Sequence, residues 1–259
     1  MTPVLAFDIE TIPDVAGIRR LHDLPADLPE HEVAEVAFQR RRTQTGSDFL
    51  PPPLHRVVVV SCVLRNDEGV QVFSIGEPER GEHEILQKFF EGVEKLVPQL
   101  VSWNGGGFDL PVLNYRSLIH KVSAPMFWET GDENRDFRYN NYVSRYHSRH
   151  LDLMDVLAMY QPRNNAPLDE VAQLAGLPGK IGVGGAKVWE AWLAGKAGEV
   201  RDYCEADTVN TYLLYLRYQQ LRGAFSKEAF ENEEQLLKKY LQGQNKPHWR
   251  EFLKLWDAA

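Results

Sequence analysis

Apolar and polar positions along this chain fall into blocks with two periods, near two and near three to four, which is the alternation of an α/β domain. The first block runs from Val4 to Phe7, a short buried strand, and ends in Asp8-Ile9-Glu10-Thr11. A polar segment punctuated by proline follows over residues 13–53 and reads as an insertion lying over the sheet. Inside it, Glu30 to Arg42 carries Val33, Val36 and Ala37 at helical spacing, and Pro51-Pro52-Pro53 closes it as a stiff extended piece. Arg56 to Leu64 is almost all β-branched, as a strand covered on both faces should be. Asn66-Asp67-Glu68-Gly69 is a hairpin turn into Val70 to Ile75, so the first three strands form an antiparallel meander.

Glu82 to Leu96 has the spacing of an amphipathic helix, through Ile85, Leu86, Phe89, Phe90, Val93 and Leu96. Leu100 to Trp103 is a short strand, followed by the loop Asn104-Gly105-Gly106-Gly107-Phe108-Asp109 and a helix over Leu110 to His120. Leu151 to Leu157 is a strand or a strand-to-helix passage, and Leu168 to Leu174 a helix. The glycines between Gly176 and Gly185 lack the spacing of a phosphate-binding fingerprint, so no nucleotide cofactor is expected. A helix over Lys187 to Leu193 precedes a long one, Glu199 to Arg222, stopped at Gly223. Two amphipathic helices split near Gly243 to Pro247 fill the end of the chain.

Composition narrows the class. The chain has 259 residues, 43% hydrophobic and 25% charged, enough for one sizeable core. No apolar run approaches the roughly 20 residues of a membrane helix, and the charged residues at the start do not fit a signal peptide. Two cysteines do not make a disulfide scaffold, so a reduced, cytoplasmic protein with no membrane attachment is expected. A net charge of −8 argues against coating duplex DNA through charge alone, but not against a nucleic-acid enzyme whose acids gather around cations. Residues 131–150 mix Arg135, Arg138, Arg145 and Arg149 with Phe137, Tyr139, Tyr142 and Tyr146. That interleaving suits single-stranded nucleic acid, or else a surface loop whose rings pack inward.

The chemistry sits where elements end. Asp8 and Glu10, at i and i+2 on a strand, share a face, and two such charges call for a divalent cation or for open solvent. Asp109 closes a strand-plus-loop unit, where α/β sheets place ligands, and would otherwise be a helix cap. Tyr203 and Asp207, at i and i+4, project from one helix face, and a carboxylate on a buried face needs a partner.

Together, Phe7-Asp8-Ile9-Glu10-Thr11, Asn104 to Asp109 and Tyr203 to Asp207 resemble the three motifs of the DEDD exonuclease superfamily in its tyrosine-bearing (DEDDy) branch. The likeness is greatest to the exonuclease domain of B-family DNA polymerases, and covers residues 1–223, leaving residues 224–259 as a helical tail outside it. The resemblance implies a ribonuclease H-like fold, a mixed five-stranded sheet flanked by helices. It implies two ions, Mg²⁺ or Mn²⁺, held by Asp8, Glu10, Asp109 and Asp207, with Asp8 bridging them and Tyr203 orienting the attacking water. Thr11, Asn104 and Phe108 would meet the terminal nucleotide, Asp152 would be a supporting acid, and Lys180 or Lys187 would contact phosphate. The implied activity is 3′-5′ removal of nucleoside monophosphates from single-stranded 3′ ends, DNA rather than RNA. Two other readings compete. One is a binding module for single strands with no catalysis. The other is a haloacid-dehalogenase-like phosphatase, to which Asp8-Ile9-Glu10-Thr11 is similar, although Glu10 replaces an aspartate and no paired Asp-Asp motif follows.

Overall fold

A computed structural model describes residues 2–76, 81–182 and 184–258. Strands β1 (Val4–Pro13), β2 (His55–Asn66), β3 (Gly69–Ile75), β4 (Gln99–Ser102) and β5 (His150–Asp152) form one mixed sheet in the order β3-β2-β1-β4-β5. β1 pairs antiparallel with β2, and β2 with β3, while β1, β4 and β5 run parallel. The expected meander, the five strands and the flanking helices are therefore all present, in the ribonuclease H-like arrangement. The centre of the sheet is β1 rather than the more apolar β2, because β4 continues the sheet on its far side.

Helices α1 (Val15–His22) and α2 (Glu30–Thr45) form the insertion. α3 (Glu82–Leu96), α4 (Asp109–His120) and α5 (Pro125–Trp128) follow along the chain. After β5 come α6 (Leu153–Leu157), α7 (Leu168–Leu174), α8 (Val188–Leu193), α9 (Ala197–Leu221), α10 (Lys227–Gly243) and α11 (Pro247–Ala258). One face of the sheet buries Leu5, Phe7 and Ile9 against Phe89, Phe90 and Leu113 of α3 and α4. The other buries Val4, Ala6, Val63 and Val101 against Val209, Leu213 and Leu216 of α9. Alternation along β1 thus sends Asp8 and Glu10 toward α9, in the row that Val4 and Ala6 begin.

The insertion is a helical hairpin with a small core of its own, built on Ile18, Val33, Ala37 and Leu50. Arg40, Arg41 and Arg42 lie on its solvated face, where Arg41 and Arg42 make surface contacts. Arg41 donates to the Phe49 carbonyl at 3.0 Å and Arg42 pairs with Asp48 at 3.0 Å. The loop at residues 131–150 divides: Phe137 and Tyr142 are buried, with Arg149 lying 3.9 Å over the Phe137 ring, while Tyr139 and Tyr146 stay exposed. Arg145 is paired with Asp155. Inward packing therefore accounts for half of the rings there.

The two C-terminal helices pack on the domain. Leu237, Leu241, Trp249 and Phe252, each no more than 1% exposed, join the core between α9 and the sheet. Among the described residues no helix is long and apolar enough to cross a membrane.

Candidate active site

Three elements deliver four carboxylates to one place. The pairing of β1 with β4 stops at Ala6, which frees the Ile9 amide to donate to Asp109 Oδ1 at 3.2 Å. Asp109 is the first residue of α4, so that bond ties the start of the helix to the strand between the two β1 acids. From the other side Cys204 of α9 brings its sulfur 3.5 Å from Asp8 Oδ2. Asp8, Glu10, Asp109 and Asp207 are brought together; none of the four is left on open surface.

Electrostatics records how close they are. Burial first, then the charges of Asp109, Glu10 and Asp207, hold the Asp8 carboxyl well above the usual range. Glu10 is raised by burial, Asp207 and Asp109, with Lys180 opposing. Burial lifts Asp109 to about 7 and Asp207 to about 6, the latter held back by a hydrogen bond from Tyr203 and by Lys180. Asp207 Oδ1 is buried with no hydrogen-bond partner. Tyr203, raised by burial and by Asp207, keeps its proton throughout the working pH range. The Lys180 ammonium lies 5.8 Å from the Tyr203 ring centre.

The loop from Asn104 to Asp109 is braced from β5. Asp152 accepts from the Asn104 and Gly106 amides, both at 2.9 Å, and Asn104 itself is left-handed at φ 64°. The glycines here make room rather than supply unusual φ: a Cβ on Gly105 would lie 2.2 Å from Ser102 Oγ. Asp152, expected as a supporting acid, supports by holding backbone. A β-bulge at Glu10/Thr11 shifts the register, and both side chains line one cavity. Thr11 Oγ1 lies 2.8 Å from His55 Nδ1, and His55 Nε2 lies 3.0 Å from the Leu50 carbonyl. A carbonyl only accepts, so Nε2 carries the proton, and burial keeps this ring neutral. Thr11 must therefore donate to Nδ1. His55 was not legible as a site residue, since its two partners lie on other segments. Phe108 stands edge-on to it at 5.0 Å.

A matching family model covers residues 47–256 and describes a predicted 3′-5′ exonuclease related to the exonuclease domain of PolB. The chain belongs to this family. The matched stretch contains Asn104 to Asp109 and Tyr203 to Asp207 and reaches through α10 into α11; Asp8 and Glu10 precede it. The chain is also 30% identical over 147 residues to the catalytic subunit of DNA polymerase epsilon from Saccharomyces cerevisiae, across 54% of this chain and 6% of that polymerase chain. It thus spans a small fraction of that relative's length.

A second group of ligand-type side chains, Asp202, Glu205 and His248, lies at the root of α11 with atoms within 4.8 Å of one another. Its imidazole turns Nδ1 toward Asp202 at 3.2 Å and Nε2 toward Glu205 at 2.9 Å. Lys246 covers both Glu205 oxygens at 3.0 and 2.9 Å. The Nε2 contact has hydrogen-bond geometry and fastens α11 to α9, while Nδ1 makes only the charged contact with Asp202.

Proposed function

We propose that this protein is a metal-dependent 3′-5′ exonuclease that releases nucleoside monophosphates from single-stranded 3′ ends, DNA in preference to RNA. The observation that carries the reading is the cluster of buried Asp109 and Asp207 with half-buried Asp8 and Glu10, in which the neighbouring acids raise the carboxyls of Asp8 and Glu10 and one Asp207 oxygen has no partner at all. A protein gains nothing in stability from four acids so placed, and hard divalent cations are what such oxygen sets bind. Asp8, Glu10, Asp109 and Asp207 would hold two ions, Mg²⁺ or Mn²⁺. Such ions supply a hydroxide nucleophile at neutral pH and charge stabilisation for the leaving oxygen.

The remaining chemistry belongs to the chain. Tyr203 stays protonated, so it orients the attacking water by donating or accepting a hydrogen bond and does not act as its base. The Ile9 amide and the Asp152-braced loop fix Asp109 and Asn104 before substrate arrives. Lys180, whose charge bears on Glu10 and Asp207, would contact phosphate. Thr11, Asn104 and Phe108 contact the terminal nucleotide.

The test is a 5′-labelled single strand, as DNA and as RNA, incubated with Mg²⁺, with Mn²⁺ or with EDTA, beside Asp207→Asn. The expected result is a ladder shortening from the 3′ end, faster on DNA, and abolished by EDTA. Asp207→Asn should fall by more than about 100-fold, since losing only an outer partner of a metal ligand costs about 10- to 100-fold. Strands that are bound but never shortened would replace the enzyme with a binding module.

A further inference from the structure

A cavity of about 560 Å³ opens beside Glu10 and Thr11, within the size range of small-molecule sites. Its far wall is not part of the sheet. That wall comes from the insertion, through Asp48, Phe49 and Leu50. Phe49 is 56% exposed and lines this cavity. Its backbone is nevertheless fixed on both sides, by Ser47 Oγ on its amide at 3.2 Å and Arg41 on its carbonyl at 3.0 Å. The next residue, Leu50, is buried and receives the His55 hydrogen bond. The Phe49 ring centre lies 5.3 Å from that of Phe108 and 5.1 Å from that of His55.

The lining defines the occupant. Glu10, Asp48 and Glu190 are its charged members, with no lysine or arginine among the described lining residues. Such a cavity repels phosphate and suits a flat, neutral group carrying hydrogen-bond donors, which is the chemistry of a nucleobase. Because the cavity shares Glu10 with the acidic cluster, the base that enters is the one next to the bond being cut. An exposed ring on a rigid backbone offers it a face to stack on.

We propose that Phe49, carried on the insertion, is the stacking wall for the 3′-terminal base, which makes the insertion a substrate-selecting element. This rests on the exonuclease reading above for which end of the strand arrives, but the stacking can be measured without catalysis. A strand bearing 2-aminopurine as its 3′-terminal base is titrated in EDTA with wild type, Phe49→Tyr and Phe49→Ala. Wild type and Phe49→Tyr are expected to quench the probe and Phe49→Ala to lose most of that quenching, with a probe inside the strand unaffected by the substitution. With Mg²⁺, Phe49→Ala is expected to raise KM by about 10-fold on a strand ending in a base, the loss of one stack. On a strand ending in an abasic sugar it should leave KM unchanged. Equal quenching by wild type and Phe49→Ala, no quenching by either, or the same KM penalty on the abasic strand would overturn the proposal. Quenching that depends on Phe49 without any shortening in Mg²⁺ would keep the pocket and discard the exonuclease.

Discussion

Asp207 shows what the cluster costs. Its carboxyl is raised by burial to about 6 and that of Asp109 to about 7, against about 4 for an exposed aspartate. With EDTA present, the folded state holds protons that the unfolded chain has already released, so stability falls as pH rises from about 4 to about 7. Below that window both states are protonated and the penalty vanishes. In EDTA, Asp207→Asn should therefore melt above wild type at pH 8, by something on the order of 1–3 kcal/mol, and the gap should close by pH 4. In Mg²⁺ the order should reverse, because the substitution removes an ion-binding oxygen. Melting curves across pH check this. A gap that ignored pH would show that burial does not raise the Asp207 carboxyl in the fold. These residues were readable in the sequence because period two on a strand and period four on a helix fix which side chains share a face. Lys180 was readable only as a loose phosphate contact, since its place beside Tyr203 depends on a loop held by Asn210, whose Nδ2 donates to the Gly179 carbonyl at 2.7 Å.

At the level of elements, Arg116 does for the insertion what the Ile9 amide does for Asp109. It is 3% exposed, and its guanidinium reaches Asp14 at 2.6 Å and the Pro53 carbonyl at 3.1 Å, the two ends of the insertion. The same group pairs with Glu82 of α3, whose Oε1 also accepts the Val57 amide at 2.8 Å. Arg116→Met leaves the buried Glu82 carboxylate with only His120 and the Val57 amide and takes a partner from half-buried Asp14, a loss of up to about 3–5 kcal/mol for breaking a buried pair. Amide exchange should quicken across residues 15–50 more than in the sheet; equal quickening everywhere would make the clamp a general stabiliser instead. The long periodic α3 was legible to the residue, and the short α7 was also found where the sequence predicts it. The clamp was not legible. Arg116 is one polar position on an otherwise ordinary helix, and its partners lie 34, 63 and 102 residues away, beyond the reach of any local pattern.

For the whole molecule, the last two helices decide whether there is a domain at all. α9 buries residues around its circumference because the sheet covers one side while α10 and α11 close over another. Glu205 marks the join: it accepts from Ser74 of β3 at 3.0 Å, from Lys246 and from His248, and although burial pushes its carboxyl up, these partners bring it below the usual range. A chain cut after Gly223 would expose the surface that Leu237, Leu241, Trp249 and Phe252 cover, at about 1.5–3 kcal/mol for each large side chain. Such a fragment is expected to lose cooperative melting; a fragment that melts sharply near the parent temperature would show the helices to be an accessory. From the sequence these helices were visible as amphipathic, but not what their apolar faces met. The opposite holds for the insertion. Its ends meet, the Asp14 amide donating to the Leu54 carbonyl at 2.8 Å, so the chain enters and leaves it at one neck. A segment joined at one neck can be exchanged as a cassette, since loop length alone adds little to the cost of closing it. Grafting other hairpins at that neck would replace Asp48, Phe49 and Leu50 on one wall of the cavity while keeping Glu10 and the other three acids, so the proposed base wall could be varied without touching the proposed metal ligands.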